Sequence, residues 1–361
     1  MNARSPFFTR GQEITASRTN LNTIKEVRPL KDILMIATGG TIASKPTPQG
    51  LAPMLSAGEI LACVPGLADI CQVESRQLFD LDSTNMRPEQ WLEIAACIEE
   101  NYDRFDGFVV THGTDTLAYT AAALSYLVQR SIKPVVITGA QKSIYTEDTD
   151  ARKNLLDAFA YASDGRSHGV CVVFDGRVIA GTRARKMRTK SMNAFQSVDY
   201  PELATVRDGR VLRYFYEPEM QPRPTFYRSL NERVFDLKLV PGASADIFAF
   251  LEPRIDALII ESFGVGGVPC YGDEEFLTAI ERWREAGKTL VVTTQVPFEG
   301  SDLGVYQVGA RVKEKYDVIE AYNMTLEATV TKLMWILAQT SEPRRVREMF
   351  YTPVAHDILL F

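Results

Sequence analysis

The feature that most constrains this chain is an apolar run broken by paired glycines, Asp32-Ile-Leu-Met-Ile-Ala-Thr-Gly-Gly-Thr-Ile-Ala-Ser44. Residues 33–37 read as a buried strand. Two glycines at the end of such a strand let the backbone turn sharply and approach a ligand closely. In an open parallel sheet, ligands bind outside the carboxyl ends of the strands. The hydroxyls of Thr38 and Thr41 therefore stand where chemistry is expected. A second stretch repeats the arrangement: Gly107-Phe-Val-Val-Thr111 runs into His112-Gly113-Thr114-Asp115-Thr116. Two strand ends, each finishing in a glycine and a threonine, carry the functional argument.

Around these runs, strand and helix patterns alternate. Strands are expected at 69–81, 108–110, 135–138 and 170–174. Helices are expected at 89–102, with Trp91, Ile94, Ala95 and Ile98 on one face, and at 116–130 and 150–163. Ser56-Ala-Gly-Glu59 is a capping box, and Pro88 suits a helix first turn. Residues 179–200 are basic and irregular (Arg183, Arg185, Lys186, Arg188, Lys190), and the plain reading of such a run is a solvated or anion-facing loop. A hairpin with Asp208-Gly209 at its turn spans 205–213. A Pro-rich stretch follows at 217–224. Strands at 257–260 and 290–294, a helix at 273–286, a loop from Gly300 to Gly309, a Thr325-capped helix at 326–339 and a last helix at 342–350 complete the chain.

This order predicts an α/β protein of two domains. A larger N-terminal domain, a doubly wound, mainly parallel sheet with flanking helices, covers 31–225. An extension covers 1–30, an interdomain connection 226–250, and a smaller C-terminal α/β domain 251–361.

Composition narrows the function classes. The 361 residues are 45% hydrophobic and 24% charged, an ordinary globular balance with room for two domains. A net charge of -6 with three histidines leaves no electrostatic footprint for nucleic acid and fits a small-molecule partner. Five cysteines without a Cys-x-x-Cys pair indicate neither a disulfide scaffold nor a zinc knuckle. His112, His168 and His356 have no zinc spacing, so no metal is expected. No apolar stretch approaches the roughly 20 residues of a membrane span. Residues 1–30 have no apolar signal core, so a cytoplasmic protein with a surface extension is expected. A phosphate-binding P-loop is missing, and Gly264-Val-Gly266 lacks the third glycine of a dinucleotide fingerprint.

A threonine hydroxyl is a poor nucleophile at neutral pH. It needs a partner to take its proton and donors for the oxyanion that forms. Gly40 before Thr41 and Gly113 before Thr114 expose backbone N–H groups for the second task. Asp115 offers a carboxylate to a substrate ammonium or to a base, and Lys186 would ease ionisation of a hydroxyl. Either string alone equally fits a turn whose hydroxyls satisfy a helix N-terminus. Two such loops at two strand ends give acyl transfer equal weight.

At these residues the chain resembles the bacterial-type L-asparaginases, which share their core with the glutaminase-asparaginases. One family signature is similar to Ala37-Thr-Gly-Gly-Thr-Ile-Ala43, the other to Thr111-His-Gly-Thr-Asp-Thr116. The likeness runs from about Ile33 to the C-terminal helices and includes Asp82-Ser83, Thr138-Gly-Ala140 and Asn323-Met-Thr-Leu-Glu-Ala328. It implies hydrolysis of a side-chain carboxamide with no cofactor, in a cytoplasmic, type I-like enzyme. By resemblance, Thr41 would be the nucleophile and form an acyl-enzyme, while Thr114, Lys186 and Asp115 form the second polar group. Ser83 would hold the substrate α-carboxylate and Asp115 the α-ammonium. Thr84 stands where some relatives carry a glutamine. The Lys186 assignment rests on matching 181–186 and 193–197 to the family pattern, with Lys190 as the competitor.

Two departures from the family pattern stand out. Leu51 lies near the position of a loop tyrosine in many relatives, and Tyr306, from this or a neighbouring subunit, is expected to supply that hydroxyl. Gly267 stands where relatives often carry an asparagine that reaches a partner's site, which points to looser selectivity and use of L-glutamine beside L-asparagine. The resemblance further implies a homodimer or homotetramer. Alternatives are a broader glutaminase-asparaginase, the amidohydrolase subunit of a tRNA-dependent amidotransferase, and an amino-acid-binding regulator that keeps the fold.

Overall fold

The computed structural model describes residues 29–47, 50–53, 55–215, 223–269 and 275–360. Most of the expected extension, most of the Pro-rich stretch at 217–224 and the side chain of Leu51 lie outside the described residues.

β1 (Asp32–Gly39) is buried along almost its whole length. A 3₁₀ turn over Thr41–Ala43 leads to a hairpin of β2 (Ser44–Thr47) and β3 (Gly50–Pro53), and then to α1 (Ala57–Ala62). The capping box forms: the Ser56 hydroxyl accepts from the Glu59 N–H, and the Glu59 carboxylate accepts from the Ser56 N–H. β4 (Gln72–Leu81) starts at 72 rather than 69, because a 3₁₀ helix over Pro65–Asp69 takes up the first residues. α2 (Pro88–Asn101) opens on Pro88 and buries Trp91, Ile94, Ala95 and Ile98. β5 (Gly107–Thr111) and α3 (Leu117–Leu127) follow. α3 stops short of Arg130, which takes a left-handed φ of 55°, and β6 (Val128–Gln129) pairs instead with residues 225–226.

β7 (Pro134–Thr138), α4 (Ala151–Ser163) and β8 (Gly169–Phe174) continue the alternation. β9 (Arg177–Ala180) then turns back antiparallel on β8. The segment expected as an irregular basic loop is ordered. After β9 it forms a hairpin of β10 (Ala184–Lys186) and β11 (Phe195–Ser197), with Lys186 opposite Phe195. β12 (Ala204–Arg207) and β13 (Arg210–Leu212) make the second hairpin. Asp208 and Gly209 at its turn take φ of 49° and 69°, as a type I′ turn requires.

The large sheet runs β13-β12-β9-β8-β7-β5-β1-β4, and the strands from β8 to β4 are parallel. Successive side chains of β1 point to opposite faces. Ile33, Met35 and Ala37 join a core with α1 and α4, while Leu34 and Ile36 join one with α2 and α3. Full burial of each Ile, Leu or Met side chain here contributes about 1.5–3 kcal/mol before chain entropy is counted.

After β14 (Thr225–Phe226), a four-stranded parallel sheet is built from β15 (Val234–Lys238), β16 (Ala257–Ser262), β17 (Thr289–Thr294) and β18 (Ile319–Glu320). β15 lies inside 226–250, yet it pairs in register with β16, so the smaller sheet begins within the expected connection. α5 (Asp246–Leu251), α6 (Glu275–Glu285), α7 (Gln307–Tyr316), α8 (Leu326–Leu337) and α9 (Pro343–Tyr351) cover this sheet and the domain boundary. α7 starts inside the expected Gly300–Gly309 loop and carries Gly309 in its first turn. Thr325 caps α8 by accepting from the Ala328 N–H at 3.0 Å. Across the boundary α8 packs on α3, with the rings of Tyr126 and Trp335 stacked at 5.9 Å.

Candidate active site

The two threonine loops touch through their glycines. Gly39 has φ of 98°, and a Cβ there would lie 2.5 Å from backbone atoms of Leu81. Gly40 has φ of 82°, and a Cβ there would lie 2.4 Å from the Gly113 N and Cα. No residue with a side chain fits either position, which is the physical content of the Gly-Gly pair. Ser83, in a 3₁₀ turn at the end of β4, closes the cluster: a Cβ on Gly113 would meet its Oγ at 2.6 Å. The strand ends are tied below by Thr38, whose hydroxyl donates to the Thr111 carbonyl at 2.8 Å.

Thr41 and Thr114 each follow one of these packed glycines. Thr41 is half-buried, and its hydroxyl has no hydrogen-bond partner among the described residues. Thr114 is buried and fully engaged. The Lys186 ammonium donates to Thr114 Oγ1 at 2.8 Å and to Asp115 Oδ1 at 2.6 Å, and the Thr114 hydroxyl donates to Gln141 Oε1 at 3.2 Å. The chain thus brings together Thr114, Asp115 and Lys186, with Lys190 exposed further along the hairpin. Gln141 was legible only as a residue in the loop after β7. Its own position is fixed by Asp150, which accepts from its backbone N–H at 2.9 Å, and by the Ser191 carbonyl, which accepts from its side-chain amide at 3.1 Å.

Other expected site residues lie elsewhere. Thr84 is exposed, and its hydroxyl donates to Asp82 Oδ1 at 3.0 Å, within the local turn. Tyr306 precedes the first residue of α7 on the smaller domain without a side-chain capping bond and is 62% exposed, with no hydrogen bond to either threonine loop among the described residues. Gly267 forms a backbone bridge with Phe263.

The hairpin that carries Lys186 is strapped to the C-terminal segment. Buried Arg183 donates from Nε to the His356 carbonyl at 2.5 Å and from Nη1 to the Asn323 carbonyl at 2.7 Å. Thr182 donates to the Ala355 carbonyl at 2.6 Å and accepts, through its own carbonyl, from Thr325 at 2.9 Å. The strap is anchored by Asp357, which is fully buried against Lys332 at 2.6 Å and accepts from the Tyr126 hydroxyl at 2.9 Å.

Two features of the surroundings shape the electrostatics. His112 is fully buried, and burial lowers its pKa to about 4, so the ring is neutral at physiological pH. Beside the hairpin, Asp236, Glu261 and Glu327 crowd together at the domain boundary. Burial and then the neighbouring Glu261 raise Asp236 to about 7, and burial raises Glu327, against the pull of Arg185 on both. Among the described residues no group of three or more His, Cys, Asp or Glu is placed to hold a metal ion, and no helix is long and apolar enough to cross a membrane.

Together these features define a two-domain α/β protein with a hydroxyl, lysine and carboxylate cluster at the carboxyl ends of a parallel sheet. The chain belongs to the asparaginase family: residues 32–220 match the asparaginase N-terminal domain, and residues 233–350 match the glutaminase/asparaginase C-terminal domain. It is 38% identical to an L-asparaginase of Thermococcus kodakarensis over 90% of this chain and 98% of that protein. The solved structure of the thermostable L-asparaginase from that organism superposes with a TM-score of 0.84 at 37% identity, covering 91% of this chain and all of that one. L-asparaginase I of Vibrio cholerae gives 0.82 at 28% identity, over 92% of this chain and all of that one. One subunit of the glutamyl-tRNA(Gln) amidotransferase from Pyrococcus horikoshii is 33% identical over 91% of this chain and 77% of that protein.

Proposed function

We propose that this protein is an amidohydrolase that converts L-asparagine to L-aspartate and ammonia, with Thr41 as nucleophile. The observation that carries the reading is the backbone contact of Gly40 with Gly113, which brings the loop of Thr41, whose hydroxyl has no hydrogen-bond partner among the described residues, against the loop of the Thr114–Lys186–Asp115 cluster. Thr41 Oγ attacks the carboxamide carbon, and backbone N–H groups of the glycine loops stabilise the oxyanion. Collapse breaks the C–N bond as the proton given up by the Thr41 hydroxyl is delivered to the nitrogen, so ammonia leaves and an acyl-enzyme remains. Water then attacks, activated through Thr114, and releases aspartate with Thr41 restored. Lys186 holds Thr114 in place and offsets negative charge as it develops. Buried Ser83 suits the substrate α-carboxylate, and Asp115, at the exposed edge of the cluster, suits the α-ammonium.

Tyr306 is assigned to cover Thr41 from a neighbouring subunit of a homodimer or homotetramer, since it stands exposed on the smaller domain. Thr84 has its hydroxyl tied to Asp82, so its part is to line the entrance. A cytoplasmic location is part of the same proposal, supported by a relative from Campylobacter jejuni described as a probable cytoplasmic L-asparaginase.

The likeness to the amidotransferase chain favours a second reading, an amidohydrolase that works within a larger complex. Ammonia release from asparagine and from glutamine, measured on the purified chain, separates the two. Activity on asparagine that is lost in Thr41→Ala supports the first reading, with lesser activity on glutamine reporting looser selectivity. Full activity in Thr41→Ala would sink the nucleophile assignment, and activity appearing only with a second protein chain would select the complex.

A further inference from the structure

Behind the threonine loop three buried side chains from different elements form a line. Trp91 of α2 donates from Nε1 to Thr120 Oγ1 of α3 at 2.9 Å. Thr120 Oγ1 lies 2.8 Å from His112 Nε2, and His112 Nδ1 lies 2.7 Å from the Gly113 carbonyl oxygen. The direction is set from the two ends, since the indole can only donate and the Gly113 carbonyl can only accept. His112 is neutral and holds one proton. With that proton on Nε2, Nδ1 would set a lone pair against the carbonyl lone pairs of Gly113 at 2.7 Å, two buried acceptors in contact. With the proton on Nδ1, the ring donates to Gly113, its Nε2 accepts the Thr120 hydroxyl, and Thr120 accepts the indole. Each donor then has its acceptor.

The Gly113 carbonyl and the Thr114 N–H belong to one planar peptide. Holding the carbonyl therefore aims the Thr114 N–H and sets the origin of the Thr114 side chain. Gly113 itself is packed against Gly40 and Ser83, so it cannot yield on that side.

We propose that Trp91, Thr120 and His112 form a hydrogen-bond relay of fixed direction that orients the Gly113–Thr114 peptide, and that all three are positioning residues for the chemistry at Thr114. Its catalytic half rests on the amide hydrolysis proposed above, whereas the tautomer of His112 does not. Nitrogen-15 NMR of the full chain labelled at histidine tests the relay directly, because only three histidines contribute. The expected spectrum has one histidine locked as the neutral Nδ1–H tautomer between about pH 6 and 8, with its Nε2 signal moved in Thr120→Val.

In the asparagine assay, Thr120→Val keeps the side-chain shape and is expected to lower kcat about tenfold with KM within about twofold. Thr120→Ser restores both the spectrum and kcat, and Trp91→Phe, which removes only the first donor, loses less than Thr120→Val. An Nε2–H tautomer in the wild type overturns the relay. So does Thr120→Val with wild-type kcat, whatever its melting temperature. Should the wild type hydrolyse no amide, the proposed function fails while the tautomer still decides the relay.

Discussion

Gly40→Ala is the sharpest test of how the two loops cooperate. The new Cβ would lie 2.4 Å from the Gly113 N and Cα, and both obstacles are backbone. An ordinary carbon contact needs about 3.4 Å or more, so the loops must separate by about 1 Å. Alanine at the φ of 82° and ψ of -178°, a region essentially confined to glycine, adds about 1–3 kcal/mol of backbone strain. A displacement of about 1 Å at a reacting centre lowers turnover on the order of 10²-fold. Ammonia release from asparagine should therefore fall by that factor in a protein that still folds, with thermal unfolding recorded in parallel. Gly58→Ala is the matched control. It sits in α1 with open space around its Cβ, and the substitution should stabilise by about 0.5–1 kcal/mol with activity unchanged. Gly40→Ala with activity within about threefold of wild type would refute the claim that Gly40 and Gly113 set the spacing of Thr41 and Thr114.

Three further outcomes are expected. Lys186→Met should cut kcat by about 10²-fold or more, since it removes the only bonds that join β10 to Thr114 and Asp115 among the described residues, while exposed Lys190→Met should leave kcat unchanged. Lys332→Met strands the fully buried Asp357 carboxylate and should lower unfolding free energy in urea by about 3–5 kcal/mol. Asp236 keeps its proton in the folded state up to about pH 7 but loses it near pH 4 when unfolded. Its contribution is therefore present at low pH and fades as pH rises from about 4 through 7. Glu261 and the charges of Lys238 and Arg185 face the same group, so the informative quantity is the difference from Asp236→Asn. That variant should match wild type near about pH 4 and be the more stable of the two at about pH 8.

Local chemistry made much of this fold readable in the sequence. The Ser56–Glu59 box, Pro88, the Asp208-Gly209 turn and the Thr325 cap act within a few residues, and each starts or turns an element where expected. α7 escaped because its charged sequence and internal Gly309 resemble a loop, and its helical state depends on Val312 and Tyr316 docking on the smaller core. The β10–β11 hairpin escaped because three-residue strands show no alternation, and its basic residues find partners only in three dimensions. The threonine loops were visible as Gly-Thr runs at strand ends. Their mutual contact was not, since Gly40 and Gly113 lie far apart in the chain. Nothing in the spacing of Trp91 and Thr120 separates a relay from two core positions on amphipathic helices.

The strap on the Lys186 hairpin has a consequence for the newborn chain. Thr182 and Arg183 are held by residues 173 positions later. At about 5–20 residues per second, a ribosome delivers residues 355–357 on the order of ten to thirty seconds after the hairpin. Through that interval both threonine loops exist without the anchor that fixes their lysine. On the amide hydrolysis proposed above, the growing polypeptide would stay inactive until residues 355–357 emerge and dock.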